Sequence, residues 1–313
     1  MKQVAELIKK AKSAVILPHL NADGDAIGSA QAMREMLTHL GIKSRILTEE
    51  PVEKRLEFIG EGIEVYEEQV CDFDLCIVLD CGDKDRLGKR IALMEKAPVV
   101  VNIDHHKTND GFGDASYVEA DASATGEIMF GLSKELGISL DRQLARYIYS
   151  AIVSDTGGFA YSNVSAKTFA IAAELVAYDI NHAEISRLMF DTVDIDEEQM
   201  KAELVNKIKS HCNGKVRTVA VTKELCDKYN VNIEELEGVV DIPRRIRGTE
   251  IAVALKEKND CIRVSLRSNE YADVSKIAQK FDGGGHTRAA GCSIKRTIEE
   301  AEILVVKACE EIL

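Results

Sequence analysis

Apolar positions fall along this chain in two rhythms. In the first half, short β-branched runs at residues 14–17, 44–47, 75–79 and 99–103 read as strands. Between the first two, Ile27, Ala30, Leu37 and Leu40 keep the spacing of one helix face, and Gly41 supplies a stop. A strand, a helix and a strand in that order predict a parallel sheet covered on both faces. A later helix, residues 142–153, carries Leu144, Ile148, Ala151 and Ile152 on one face and is expected to end before Ser154-Asp155-Thr156-Gly157-Gly158. Residues 191–212 turn strongly polar and suit an exposed connecting helix. Beyond them come a strand at 216–221, a helix, strands at 250–255 and 261–266, a Gly-rich turn and a final helix at 298–313. The expected fold is α/β in two domains: a larger N-terminal parallel-sheet domain (1–190), a connecting helix (191–212) and a smaller C-terminal α/β domain (213–313), with a cleft between them.

The 313-residue length fits two cores better than one. A 45% hydrophobic, 30% charged composition without a run long enough to span a bilayer argues against membrane insertion. The N-terminus is amphipathic and carries an acid, unlike a secretory signal or transit peptide, so a cytoplasmic protein is expected. Eight cysteines occur without a C-x-x-C pair and are expected to be reduced thiols. Cys71, Cys76 and Cys81 are evenly spaced, but Cys76 and Cys81 flank a strand at an odd separation and are expected on opposite faces, which argues against a structural zinc. A net charge of −13 excludes a general nucleic-acid coat.

The chemistry gathers at strand ends. His19-Leu-Asn-Ala-Asp23-Gly-Asp25 follows the first strand and leads into a helix. Asp80 ends the third strand, Asp104-His105-His106 the fourth, and Asp155 follows a helix. Asp23 and Asp25 could serve only as helix caps. In a parallel sheet, however, all these strand ends lie on one edge, where packed carboxylates call for a cation. His19, Asp23, Asp25, Asp80, His105 and Asp155 form an imidazole and carboxylate set suited to Mn²⁺ or Mg²⁺, and too large for one ion with an open position, so two divalent ions are implied. In Cys261-Ile-Arg263-Val-Ser265-Leu-Arg267, strand alternation places Arg263, Ser265 and Arg267 on one face suited to an anion. Gly283, Gly284 and Gly285 are expected to let backbone amides approach an anion at a helix N-terminus. Arg244, Arg245 and Arg247 are read as a solvated face.

Together, H-x-N-x-D-G-D at 19–25, the strand-end Asp80, D-H-H at 104–106 and D-T-G at 155–157 resemble the DHH phosphoesterase family. Gly283-Gly-Gly-His286-Thr-Arg-Ala-Ala-Gly291 resembles the G-G-G-H signature of the DHH-associated C-terminal domain. The resemblance spans nearly the whole chain. It implies that His19 and Asp23 bind one ion and Asp25, His105 and Asp155 the other, with Asp80 bridging and a metal-bridging hydroxide as nucleophile. It also implies that Asp104 orients a ligand histidine, that His106 faces the substrate phosphate, and that Arg267, Gly283, Gly284, Gly285 and His286 bind substrate. Within the family, size and layout are most similar to the branch of bifunctional oligoribonucleases and adenosine 3′,5′-bisphosphate (pAp) phosphatases. That branch implies short single-stranded RNA, dinucleotides and pAp-like nucleotides as partners, with Mn²⁺ the expected metal, no membrane, no long duplex and a homodimer allowed. The alternatives are an inorganic pyrophosphatase or polyphosphatase, against which the G-G-G-H signature argues, and a catalytically inactive nucleotide-binding module.

Overall fold

A nine-residue amphipathic helix, α1 (Lys2–Lys10), leads into β1 (Ser13–Pro18), and strands then alternate with helical segments: α2 (Gly24–His39), β2 (Lys43–Thr48), β3 (Ile63–Val65), β4 (Leu75–Leu79), α3 (Ile91–Lys96), β5 (Val100–Asp104) and β6 (Ala115–Val118). Four helices close this half: α4 (Thr125–Leu136), α5 (Arg142–Asp155), α6 (Ala166–Val176) and α7 (His182–Phe190). This computed structural model describes residues 1–68, 72–109, 111–233, 236 and 238–313. The chain divides into two units, Met1–Thr192 and Val193–Leu313.

The first unit holds a six-stranded sheet in the order β3-β2-β1-β4-β5-β6, every neighbouring pair parallel. Strand alternation sends Ile16, Ile77, Leu79 and Ile103 into one core with α2, α4 and α5, and Val15, Leu17, Cys76 and Val78 into a second core on the other face. The strand order reverses direction between β1 and β4. Crevices outside the carboxyl ends of such strands are where open α/β sheets bind ligands.

In the second unit, α8 (Ile195–Asn206), β7 (Lys209–His211), β8 (Val216–Val221), α9 (Lys223–Lys228), α10 (Asp241–Arg244), β9 (Ile251–Glu257), β10 (Ile262–Ser268), α11 (Val274–Gln279), β11 (Gly284–His286), β12 (Ala289–Ile294) and α12 (Ile298–Glu310) follow in order. Their sheet runs β11-β12-β10-β9-β8-β7, with β8 and β9 parallel and the other pairs antiparallel.

Four local readings differ from the structure, each for a physical reason. The stretch expected as an exposed connection contains α8, whose Met200 and Leu204 are fully buried among Val219, Leu225 and Ala252. Two apolar residues at i and i+4 make a stripe too narrow to stand out among acids, and Asp196, Glu197 and Glu198 occupy the first turn, where the helix dipole favours them. Helix α5 continues to Asp155, so this carboxylate sits on its last turn. Cys76 and Cys81 share one core instead of facing opposite ways, because Asp80 between them adopts a left-handed conformation (φ 53°) that breaks the alternation; Cys71 lies outside the described residues. The glycine run leads into the edge strand β11, not into a helix. There a Cβ on Gly283 would stand 2.3 Å from the Gly291 oxygen, and one on Gly285, at φ 139°, 2.5 Å from the Ala289 oxygen.

Candidate metal centre

Strand ends and helix starts build this site together. His19 leaves β1 buried, its Nδ1 2.6 Å from the Leu20 carbonyl oxygen. An Nδ1–H donated there frees Nε2, which lies 3.6 Å from Asp80 Oδ2 and 3.8 Å from Asp23 Oδ2. Asp23 also caps α2, its Oδ1 accepting from the amides of Asp25 (3.0 Å) and Ala26 (3.1 Å). The capping expectation and the ligand expectation thus fall on different oxygens of one carboxylate.

Asp25 stands in the first turn of α2 and is held from across the fold. Its Oδ2 accepts the Thr125 amide (2.7 Å), and its Oδ1 the Gly126 amide (3.0 Å) and the Ser29 hydroxyl (3.1 Å). Thr125 and Gly126 open α4, so the carboxylate sits at a helix N-terminus, where unpaired amides and the dipole favour an anion. Thr125 Oγ1 also donates to Asp80 Oδ1 at 3.0 Å.

His105 is fixed from behind, its Nδ1 3.2 Å from the Ala122 carbonyl oxygen. Its Nε2 faces Asp80 Oδ1 at 3.5 Å and Asp25 and Asp155 Oδ2 at 3.8 Å each. Asn163 pins Asp155 by donating to its Oδ2 (3.2 Å) and its carbonyl (3.0 Å). The donors therefore form two triads, His19–Asp23–Asp80 and Asp25–His105–Asp155, each gathered within 4.8 Å, with Asp80 also beside His105. Separations of 3.5–3.8 Å are too long for hydrogen bonds. They are close to the spacing of donors around a shared ion, about 3 to 3.5 Å for bonds of about 2.1 Å.

The charge balance calls for a cation as well. Burial, with Asp80 and Asp155 nearby, pushes Asp25 well above the usual carboxylate range; burial and Asp23 push Asp80 up. Asp155 rises to about 6 through burial, with His105 partly offsetting it and Asp80 adding to it. Burial also works on Asp23, but the His19 imidazole outweighs it and brings that carboxyl down to about 2. Buried carboxylates that resist ionisation beside imidazoles with free Nε2 atoms are a fitting donor set for divalent ions, whose charge reverses that resistance.

The hydrogen bond of Asp104 goes to an unexpected partner. Its Oδ1 accepts from His106 Nδ1 (2.7 Å), the imidazole expected to face substrate, whereas the ligand candidate His105 relies on a main-chain carbonyl. Asn109 donates to the other oxygen, Asp104 Oδ2, at 2.7 Å. Through its hydrogen bond, Asp104 raises the pKa of His106. Asn109, Asn163 and the two α4 amides carry no signal in the sequence, since they act from loops or through main chain. Arg86 and Thr125, which the sequence offers only as candidates to line the pocket, lie at the site; Arg86 Nη2 is 3.0 Å from His19 Nδ1.

The second unit presents a face of its own. Register pairs Arg267 with Ala289 and Ala289 with His286 across three strands, and Ser265 with Gly291 and Gly291 with Gly284 in the next row. Directly opposed residues share a face. Arg267, Ser265 and exposed His286 thus stand around Ala289, Gly291 and Gly284, whose small side chains leave room, while Val264, Leu266 and Ala290 fill the core behind. Arg244 is occupied by Asp241 and Asn269 at 3.2 Å each.

Comparison with known proteins gives a consistent picture. Residues 13–152 match the DHH family, N-terminal domain, and residues 213–313 match the DHHA1 domain. The chain is similar to a probable bifunctional oligoribonuclease and PAP phosphatase of Streptococcus mutans, 28% identical with 96% of each chain covered. It is similar also to a bifunctional oligoribonuclease and PAP phosphatase of Bacillus subtilis, 29% identical over 91% of this chain and 90% of that one. The crystal structure of an exopolyphosphatase-related protein from Bacteroides fragilis superposes with a TM-score of 0.92 at 25% identity, covering 99% of this chain and 95% of the other.

Proposed function

From the premise that the chain belongs to the DHH family and carries both its N-terminal domain and a DHHA1 domain, we propose that it hydrolyses phosphoester bonds in short oligoribonucleotides and dinucleotides, and removes the 3′-phosphate of pAp. The observation that carries this reading is the pair of donor triads, His19–Asp23–Asp80 and Asp25–His105–Asp155, with Asp80 Oδ1 3.5 Å from His105 Nε2, at the point where the sheet order reverses. His19 and Asp23 would hold one divalent ion, Asp25, His105 and Asp155 a second, and Asp80 both. Two such ions, Mn²⁺ ahead of Mg²⁺, would supply a water acidic enough to attack phosphorus at neutral pH and positive charge to offset that of the phosphoryl group.

The chain's own residues do the remaining work. The α4 amides and Ser29 keep Asp25 aimed at the centre, and the Leu20 and Ala122 carbonyls fix which nitrogen of His19 and of His105 points inward. His106, kept protonated on Nδ1 by Asp104, would present Nε2 to the substrate phosphate. In the second unit, Arg267 and His286 would bind a phosphate over the small-residue rows, with the Gly283–Gly285 backbone alongside. The substrates are cytoplasmic nucleotides and RNA fragments in this reading.

The test is product analysis with Mn²⁺ on a labelled dinucleotide, a long single strand, pAp and pyrophosphate, alongside Asp80→Asn. Metal-dependent release of mononucleotides from the dinucleotide, lost in the variant, is expected. Turnover of pyrophosphate alone would replace this reading with a pyrophosphatase.

A further inference from the structure

Just past Asp155 the chain places an aromatic ring in the open. Tyr161 is 59% exposed, although it lies only six residues from a proposed metal ligand in a protein with few aromatics. The loop that carries it is firmly built. The amides of Ala160 and Tyr161 both donate to the Thr156 carbonyl (2.9 and 3.0 Å), the Phe159 amide donates to the Thr156 hydroxyl (3.1 Å), and Asn163 ties the loop to Asp155 and to the Ser123 carbonyl (2.9 Å).

The ring's orientation can be read from its neighbour. A Cβ on Gly157 would stand 2.4 Å from Cζ, 2.6 Å from Cε1 and 2.7 Å from Cε2 of Tyr161. Three nearly equal distances mean that the ring presents its face to Gly157, since an edge would put Cζ much nearer than both Cε atoms. Gly157, at φ 55°, is thus a backbone position that both turns the chain and lets the ring lie flat on it. One face of Tyr161 is seated on the D-T-G turn that begins at Asp155, and the residue is otherwise largely open to solvent.

We infer that Tyr161 is a stacking platform for a nucleobase of the substrate, an inference that rests on the nucleotide reading above. A planar base is the occupant that a flat, open ring on the loop tied to a proposed metal ligand fits, and stacking tolerates any base because each has a π-face. The platform binds the nucleoside whose phosphate lies at the metal centre. It favours substrates that carry a base without choosing among bases, as a scavenger of mixed RNA fragments needs.

The experiment compares kcat and KM for a ribodinucleotide and for the same molecule with one nucleoside replaced by abasic ribose, in wild type, Tyr161→Ala, Tyr161→Phe and Tyr161→Trp. Wild type should prefer the base-bearing molecule in at least one of the two abasic positions. Tyr161→Ala should lose that preference through a KM increase of about fivefold to a hundredfold with kcat retained, and Phe and Trp should keep it. An unchanged preference in Tyr161→Ala would overturn the platform, and so would an equal loss in Tyr161→Phe, which would assign the effect to the hydroxyl. If wild type turns over pyrophosphate but neither dinucleotide, the functional reading itself fails and takes the platform with it.

Discussion

Asp80 combines a chemical demand with a conformational one. It is buried at the end of β4 with φ 53°, a region where Asp and Asn are tolerated far better than other non-glycine residues. Asp80→Asn and Asp80→Ala both delete the carboxylate proposed to serve both ions, and each should lower turnover by at least about a hundredfold, beyond the loss typical of a supporting residue. The two should differ in stability: chemical denaturation should find Ala below Asn by about 1 kcal/mol, since only Ala strains the turn. A second residue-scale expectation concerns pH. Asp25, Asp80 and Asp155 have raised folded-state pKa values, so the folded metal-free protein binds more protons than the unfolded chain, and stability falls as pH rises from near the ordinary carboxylate value through about 6. Melting of the chelated protein should therefore weaken between pH 4.5 and 7, after allowance for groups elsewhere, as an order-of-magnitude window, and added Mn²⁺ should raise Tm more at the upper end than the lower. An Mn²⁺ effect equal at both ends would contradict this assignment. The convergence of these side chains was legible because His and Asp recur at strand ends; which histidine Asp104 holds was not, because adjacent imidazoles look alike in a sequence and diverge only when the chain turns.

Helix α5 is the element against which the others are set. A Cβ on Gly28 of α2 would come 2.9 Å from the Ala151 nitrogen and the Tyr147 oxygen, and one on Gly126 of α4 would come 2.7 Å from the Ala151 Cβ. Both helices thus pass α5 at the same level, and they deliver Asp25 and the amides that hold it. Gly28→Ala meets backbone that has no rotamer to give, and should cost about 1 to 3 kcal/mol, lowering Tm by about 3 to 10 °C in calorimetry, with weaker Mn²⁺ binding as Asp25 shifts. A Tm within error of wild type would mean that the helices part freely. The hydrophobic period found α2 and α5, but not these contacts, because a glycine in a helix reads as a weak helix former until its neighbour is known. It also missed α8, whose narrow stripe of Met200 and Leu204 is hidden by the acids around it.

At the scale of the whole molecule, all of His19, Asp23, Asp25, Asp80, His105 and Asp155 lie within Met1–Thr192, which has its own cores, while Arg267, Ser265 and His286 lie on the sheet of the other unit. Residues 1–192 expressed alone should fold and show a Tm rise with Mn²⁺ in differential scanning fluorimetry, yet lose dinucleotide turnover by at least about tenfold, the effect of about 1.4 kcal/mol of lost binding. Absence of the Tm rise would mean that the second unit contributes to metal binding. The alternation of strands and helices made the parallel sheet readable, and with it the convergence of its strand ends; the order β3-β2-β1-β4-β5-β6 was not readable, since it depends on which way each crossover turns. That long-range assembly bears on how the protein is made. Asp25 leaves the ribosome early, and the amides of Thr125 and Gly126 that receive it follow 100 and 101 residues later. At roughly 5 to 20 residues per second, the nascent chain carries its acidic motif for about 5 to 20 seconds before the helix that tames it exists. The six side chains converge only once α4 and α5 have been made, so a shorter translation product carries the acids without the geometry that gathers them.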